Sequence, residues 1–191
     1  MVNKRIKKSM LKITYIQKRE DFVINQLFAA SKMQSVSKGR TRSRIRIPLA
    51  YILFSLILFA IDDIYFGIGF LIFAIVWYLF YPLFIANTYK KTCMKHVDEI
   101  FTNRFSQPVT VVFTDEYIGC ETVYGEAKLY NTAIESIDEI TDYCFVKFKS
   151  GETLFIPLNQ LTEKDEVLSV LRQIAEKNNI PYHTYLNWKW K

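Results

Sequence analysis

Two histidines, His96 and His183, and three cysteines, Cys93, Cys120 and Cys144, are the side chains best suited to acid–base, nucleophilic or metal chemistry in this 191-residue chain. Cys93 and His96 stand three apart on one face of a helical stretch, with Asp98 and Glu99 nearby. That spacing is half of a metal site; a packed thiol beside a solvated imidazole is the plainer reading. Cys120 and Cys144 fall in strand-like runs, where a thiol serves as a small buried hydrophobe. Glu135, Asp138, Glu139 and Asp142 could hold a cation, but strand alternation assigns them to a solvated face. No glycine loop is arranged to cradle phosphate. Gly67 and Gly69 lie in an apolar run, where small residues let helices approach closely. No residue is assigned a catalytic, cofactor-binding or metal-ligating role.

The elements that would position any site are dominated by an uneven distribution of charge. The formal net charge is +6, yet residues 1–46 carry 13 basic and 2 acidic side chains, residues 47–86 carry only Asp62 and Asp63, and residues 87–191 carry 12 basic and 15 acidic. Residues 47–61 are uncharged and span roughly 22 Å as a helix, short for a hydrocarbon layer of about 30 Å. Arginine stems reaching for the headgroups can extend that span. Residues 64–87 are long enough to cross outright, and Pro82 predicts a kink near one end. One continuous helix would put two aspartates at mid-membrane, so the chain is expected to turn at Asp62-Asp63. Arg40, Arg42, Arg44 and Arg46 precede the first span, and Lys90, Lys91 and Lys95 follow the second. Basic residues beside spans stay on the cytoplasmic side, so both termini are expected in the cytoplasm of an inner-membrane protein, without disulfides. A signal peptide is not expected ahead of such a basic start. With no ionisable group inside either span, the hairpin reads as an anchor rather than a transport path.

Six of these basic residues, Arg40, Arg42, Arg44, Arg46, Lys90 and Lys91, are candidate contacts for lipid headgroups; the simpler alternative is that they only set orientation. As a helix, the four arginines split into two pairs on nearly opposite sides. Nucleic acid is not expected as a partner, because no recognition module accompanies the charge. Trp77 and Tyr81 suit an interfacial aromatic belt. Trp188 and Trp190, in the tail with Lys189 and Lys191, could lie at the inner membrane surface, pack against the domain, or fray.

The remainder reads as α+β. Leu11–Ile16 alternates as a strand, and residues 18–34 form a helix with Phe22, Val23, Leu27, Phe28, Ala30 and Met33 on its apolar face. A helical stalk covers residues 88–107. Residues 109–113, 117–123, 127–130, 134–140, 144–148 and 153–157 are strands separated by turn signals, and residues 163–178 form an amphipathic helix with Thr162 and Asp165 as an imperfect capping box. The units are therefore a basic segment at 1–46 with one amphipathic helix, a transmembrane helical hairpin at 47–87, the stalk at 88–107, and a cytoplasmic antiparallel β domain at 108–191. An antiparallel sheet closed by a C-terminal helix is the arrangement of pleckstrin-homology-like domains.

Glu20-Asp21-Phe22 opening a helix, Ala30-Ser31-Lys32 near its end, the basic stretch before a two-span hairpin, Phe113-Thr-Asp-Glu-Tyr-Ile118, Ile134-Glu-Ser-Ile-Asp-Glu-Ile140 and Phe155-Ile-Pro-Leu158 together resemble the YcxB-like family of bacterial membrane proteins. The resemblance covers nearly the full length. It departs where Tyr130 or Asn131 replaces an expected Trp, and in the tail after Asn179. It implies a two-span protein with a cytoplasmic C-terminal domain, and it carries no activity onto particular residues. The function expected is that of a non-enzymatic membrane protein binding a protein or lipid partner, with self-association through the hairpin also open. The alternative is an immunity-type protein guarding its cell against a membrane-acting toxin.

Overall fold

The computed structural model describes residues 11–190; the first ten residues of the basic segment, and Lys191 of the tail, lie outside them. The chain divides into two compact units. Residues 11–25 with Ile100–Trp188 form a unit of two four-stranded sheets and a helix, and Gln26–Glu99 with residues 189–190 form a helical unit.

In the sheet unit, β1 (Leu11–Ile16) pairs antiparallel with β2 (Pro108–Phe113), which continues through β3 (Tyr117–Thr122) to β4 (Gly125–Tyr130). The second sheet has the order β7-β6-β5-β8. β5 (Ile134–Glu139), β6 (Tyr143–Phe148) and β7 (Thr153–Pro157) run antiparallel, and β8 (Tyr182–Thr184) lies parallel to β5. Alternation in β1 turns Ile13 and Tyr15 inward, where they join Val111, Phe113, Ile118, Ile137, Val146 and Ile156 in one core. The helix α4 (Lys164–Asn178) closes that core with Val167, Leu171 and Ile174. Tyr15 also donates to the Phe155 carbonyl at 2.8 Å, tying the first sheet to the second.

Several sequence expectations are revised in this unit. The described part of the expected 1–46 segment is divided: β1 pairs with β2 in the sheet unit, and the residues from Gln26 onward belong to the helical unit. The expected capping box at Thr162 does not form; Glu163 occupies the N-cap without a side-chain bond. Asp138 and Glu139 are buried rather than solvated, because the tail returns as β8 and flanks β5 on the side opposite β6. α4 ends at Asn179, whose φ of 53° is left-handed, and the Ile180 N–H reaches the Ala175 carbonyl at 2.8 Å. That closure turns the tail back toward β5.

The helical unit contains the rest of α1 (Arg19–Lys32), all of α2 (Gln34–Ala60) and most of α3 (Ile64–Phe101). Two helices replace the single amphipathic one expected before the first span. α1 stops where the Ser31 hydroxyl bonds the Phe28 carbonyl at 2.7 Å, and Met33 is extended. The basic stretch then belongs to α2. The stalk is continuous with the second apolar run but ends at Phe101, six residues before its expected limit. At the link, Asp62 adopts φ 63°, its N–H bonds the Phe59 carbonyl at 3.3 Å, and the Asp63 N–H bonds the Leu58 carbonyl at 3.0 Å. This is a Schellman closure with aspartate where glycine is usual. α2 and α3 are held together by Ser55, fully buried, which donates to the Gly67 carbonyl at 2.7 Å. A β-carbon on Gly67 would lie 2.4 Å from the Phe59 ring, so glycine is needed there, whereas Gly69 faces open space.

Both α2 and α3 are long and apolar enough to cross a membrane, and only 11% and 6% of their most apolar stretches are buried within the protein.

Candidate functional site

The four arginines of the basic stretch are divided by helical geometry. At about 100° per residue, Arg40 and Arg44 share one face of α2 and Arg42 and Arg46 another. Arg40 and Arg44 are half-buried, and Arg42 and Arg46 are exposed. The half-buried pair borders a cavity of about 450 Å³ within the helical unit. Lys189 supplies a third cation to its wall, Ser31, Ser37 and Thr41 supply hydroxyls, and no carboxylate lines it. Its apolar side is made by Tyr81, Pro82, Ile85 and Trp190.

Pro82 explains the position of Arg44. A proline inside a helix has no N–H for the carbonyl four residues earlier, which here belongs to Tyr78. Arg44 donates its Nε–H to that carbonyl at 3.3 Å, and its guanidinium lies 4.3 Å from the centre of the Tyr78 ring. A defect in α3 thereby fixes a cation on α2. Arg40 is held comparably, 4.9 Å from the centre of the Trp190 ring. The Trp190 indole donates to the Ala86 carbonyl at 3.0 Å and packs 5.0 Å from Tyr89. The Arg40–Trp190 and Arg44–Tyr78 contacts each join a delocalised cation to an aromatic face.

The other candidates from the sequence are placed differently. Lys90 and Lys91 are exposed on α3. Trp77 stacks on Tyr81 at 5.6 Å, and its indole nitrogen is buried without a hydrogen-bond partner among the described residues. Trp188 and Trp190 part company: the Trp188 N–H closes a turn onto the Tyr185 carbonyl, while Trp190 joins the helical unit. Cys93 is half-buried and His96 exposed on α3, and among the described residues no three His, Cys, Asp or Glu side chains come together as metal ligands.

Within the sheet unit, two buried carboxylates tie elements together, and neither was legible as such in the sequence. Asp21 accepts from the Tyr143 hydroxyl at 2.8 Å, from the Lys18 N–H at 2.8 Å and from Gln160 at 3.3 Å. Its bond to Lys18 is half of a capping box that starts α1. Beside it, Phe22 packs on Phe101, Phe105 and Phe155. Glu139 accepts from the Tyr182 hydroxyl at 2.5 Å and from Arg172 at 3.1 Å, joining β5, β8 and α4. Burial, with the bond to Glu139, pushes the Tyr182 hydroxyl above its ordinary range. Burial also raises the Cys120 thiol to about 11 and the Cys144 thiol further, so both remain protonated and poorly nucleophilic. Asn131 is buried and its side-chain amide donates to the Thr114 carbonyl at 2.9 Å.

No family model matches this chain, and no curated protein or solved structure matches it. What the cavity can bind follows from its own chemistry: three cations and three serine or threonine hydroxyls on one side, an aromatic and aliphatic wall on the other.

Proposed function

We propose that this chain is a two-span, non-enzymatic protein of a bacterial inner membrane, of YcxB-like type, whose sheet domain lies in the cytoplasm and binds a protein or lipid partner. The observation that carries this reading is the bare apolar surface of α2 and α3. A core helix of a soluble protein is covered by its own fold, yet Leu53, Phe54, Leu56 and Ile57 on α2 and Phe80, Leu83 and Phe84 on α3 are each more than half exposed. Contiguous apolar surface of that extent is stable in hydrocarbon and unstable in water. Basic residues beside both spans support cytoplasmic termini. Four antiparallel strands, then three more, closed by α4, support the pleckstrin-homology-like reading, with β1 supplied from ahead of the spans and β8 added by the tail.

In the sheet domain, β4 is an edge strand, and Val123, Tyr124 and Tyr130 are exposed on and beside it. Exposed edges of this kind accept partner segments. The reading is tested by cross-linking in native membranes followed by purification. Wild type is expected to retain a partner that Tyr124→Ala/Tyr130→Ala loses, with the protein resisting carbonate extraction throughout; recovery of the chain in the soluble fraction contradicts it. The short link at residues 61–63, which leaves almost nothing beyond the membrane, favours the immunity-type role as a second reading. Unchanged survival of cells lacking the protein during expression of a neighbouring toxin would remove it.

A further inference from the structure

We propose that the cavity between α2 and α3 is a binding site for an anionic phospholipid, with Arg40, Arg44 and Lys189 on the headgroup phosphate and the upper acyl methylenes against Tyr81, Pro82 and Ile85. The inference rests on the reading of α2 and α3 as membrane spans.

Three observations carry it. The cavity lies where the charge changes: Arg44 is three residues ahead of the uncharged run that starts at Ile47, and Tyr81 is six residues short of Asn87, where the second run ends. That is headgroup depth for a membrane-spanning pair. The volume of about 450 Å³ falls in the range of small-ligand sites, and its two chemistries match an amphiphile rather than a free anion. The cations are also built in. A topology determinant needs only charge near a span, and exposed Arg42, Arg46, Lys90 and Lys91 supply that. Arg40 and Arg44 are instead oriented by the Trp190 and Tyr78 rings, and Arg44 by a carbonyl that Pro82 leaves without its helical donor. Two guanidinium groups held near one cavity can meet phosphate oxygens with less ordering on binding than mobile side chains require.

The test uses the full chain in nanodiscs of phosphatidylcholine containing a minor fraction of phosphatidylglycerol, with retained lipids counted by native mass spectrometry. One phosphatidylglycerol is expected to be retained in preference to phosphatidylcholine. Arg40→Gln/Arg44→Gln should lower that preference about tenfold or more, and Lys189→Gln, which leaves the helices untouched, should lower it less. Arg42→Gln/Arg46→Gln removes the same charge and should leave the preference unchanged. Arg40→Lys/Arg44→Lys keeps the charge, loses the planar fork, and should restore only part of it. Equal losses in the two glutamine pairs would overturn the proposal in favour of diffuse surface attraction. Displacement of the retained lipid by millimolar inorganic phosphate or glycerol phosphate would overturn it in favour of a soluble anion. Failure of wild type to enter nanodiscs would instead refute the membrane reading beneath it, and that outcome is visible before any lipid is counted.

Discussion

Asp21 shows how much one side chain can hold. It is 2% exposed and accepts three hydrogen bonds, from Tyr143, Lys18 and Gln160. Asp21→Ala leaves a buried hydroxyl and a helix-start N–H without their acceptor, which should cost roughly 2 to 4 kcal/mol, read as a fall in the denaturant midpoint at unchanged slope. The sequence offered Asp21 only as part of a short motif, since nothing local announces a partner 122 positions away. The buried hydroxyls and thiols give a second expectation. Burial raises Tyr15, Tyr143, Tyr182, Cys120 and Cys144 above their ordinary 10.0 and 9.0. As pH rises past those values the unfolded chain releases protons that the folded chain keeps, so stability must fall. The loss should begin near pH 9 and, for Cys120, be complete above its folded value of about 11. A melting temperature of the full chain that is equal at about pH 8 and about pH 10.5 contradicts this.

Among the elements, β1 departs furthest from what residues alone suggest. Its strand character is readable from the alternation in Leu11–Ile16, but its partner is not, because the two apolar runs intervene in the chain and pairing across them leaves no local trace. The strands from Pro108 to Pro157 were legible because Thr114-Asp115, Gly125 and Gly151 punctuate them. β8 was not, since three residues near a terminus carry too little pattern. These pairings predict different fates for two fragments. Residues 108–180 alone lack Ile13 and Tyr15, each worth about 1.5 to 3 kcal/mol of burial, as well as the Tyr182–Glu139 bond, and should remain unfolded by circular dichroism. Residues 11–25 joined by a short flexible linker to residues 100–188 should fold, because the Phe22 and Phe101 rings near the junction are only 4.9 Å apart. Folding of the shorter fragment to the same stability would contradict the role given to β1. In the hairpin, Asp62→Val places a β-branched side chain at φ 63° and should destabilise the turn by about 1 to 2 kcal/mol, while Asp62→Gly should be neutral or stabilising; unfolding in mixed micelles measures both.

For the molecule as a whole, the separation of charge that sets the basic net value also sorts its parts: cations gather beside α2 and α3, and the sheet domain is left slightly acidic. The cavity bordered by Arg40 and Arg44 was legible only as a row of arginines two apart. Which pair turns inward depends on α2 beginning at Gln34, thirteen residues before the uncharged run, and on Pro82 freeing a carbonyl in a different helix. In the proposed topology α2 and α3 span a membrane with the link outside and the sheet domain inside. It is tested most directly in intact cells with single cysteines in a background where Cys93, Cys120 and Cys144 are serine. A membrane-impermeant maleimide is expected to label Asp63→Cys in the link and to spare Glu126→Cys on the exposed strand β4 until the cells are permeabilised. Labelling of Glu126→Cys in intact cells, with Asp63→Cys protected, would contradict the account.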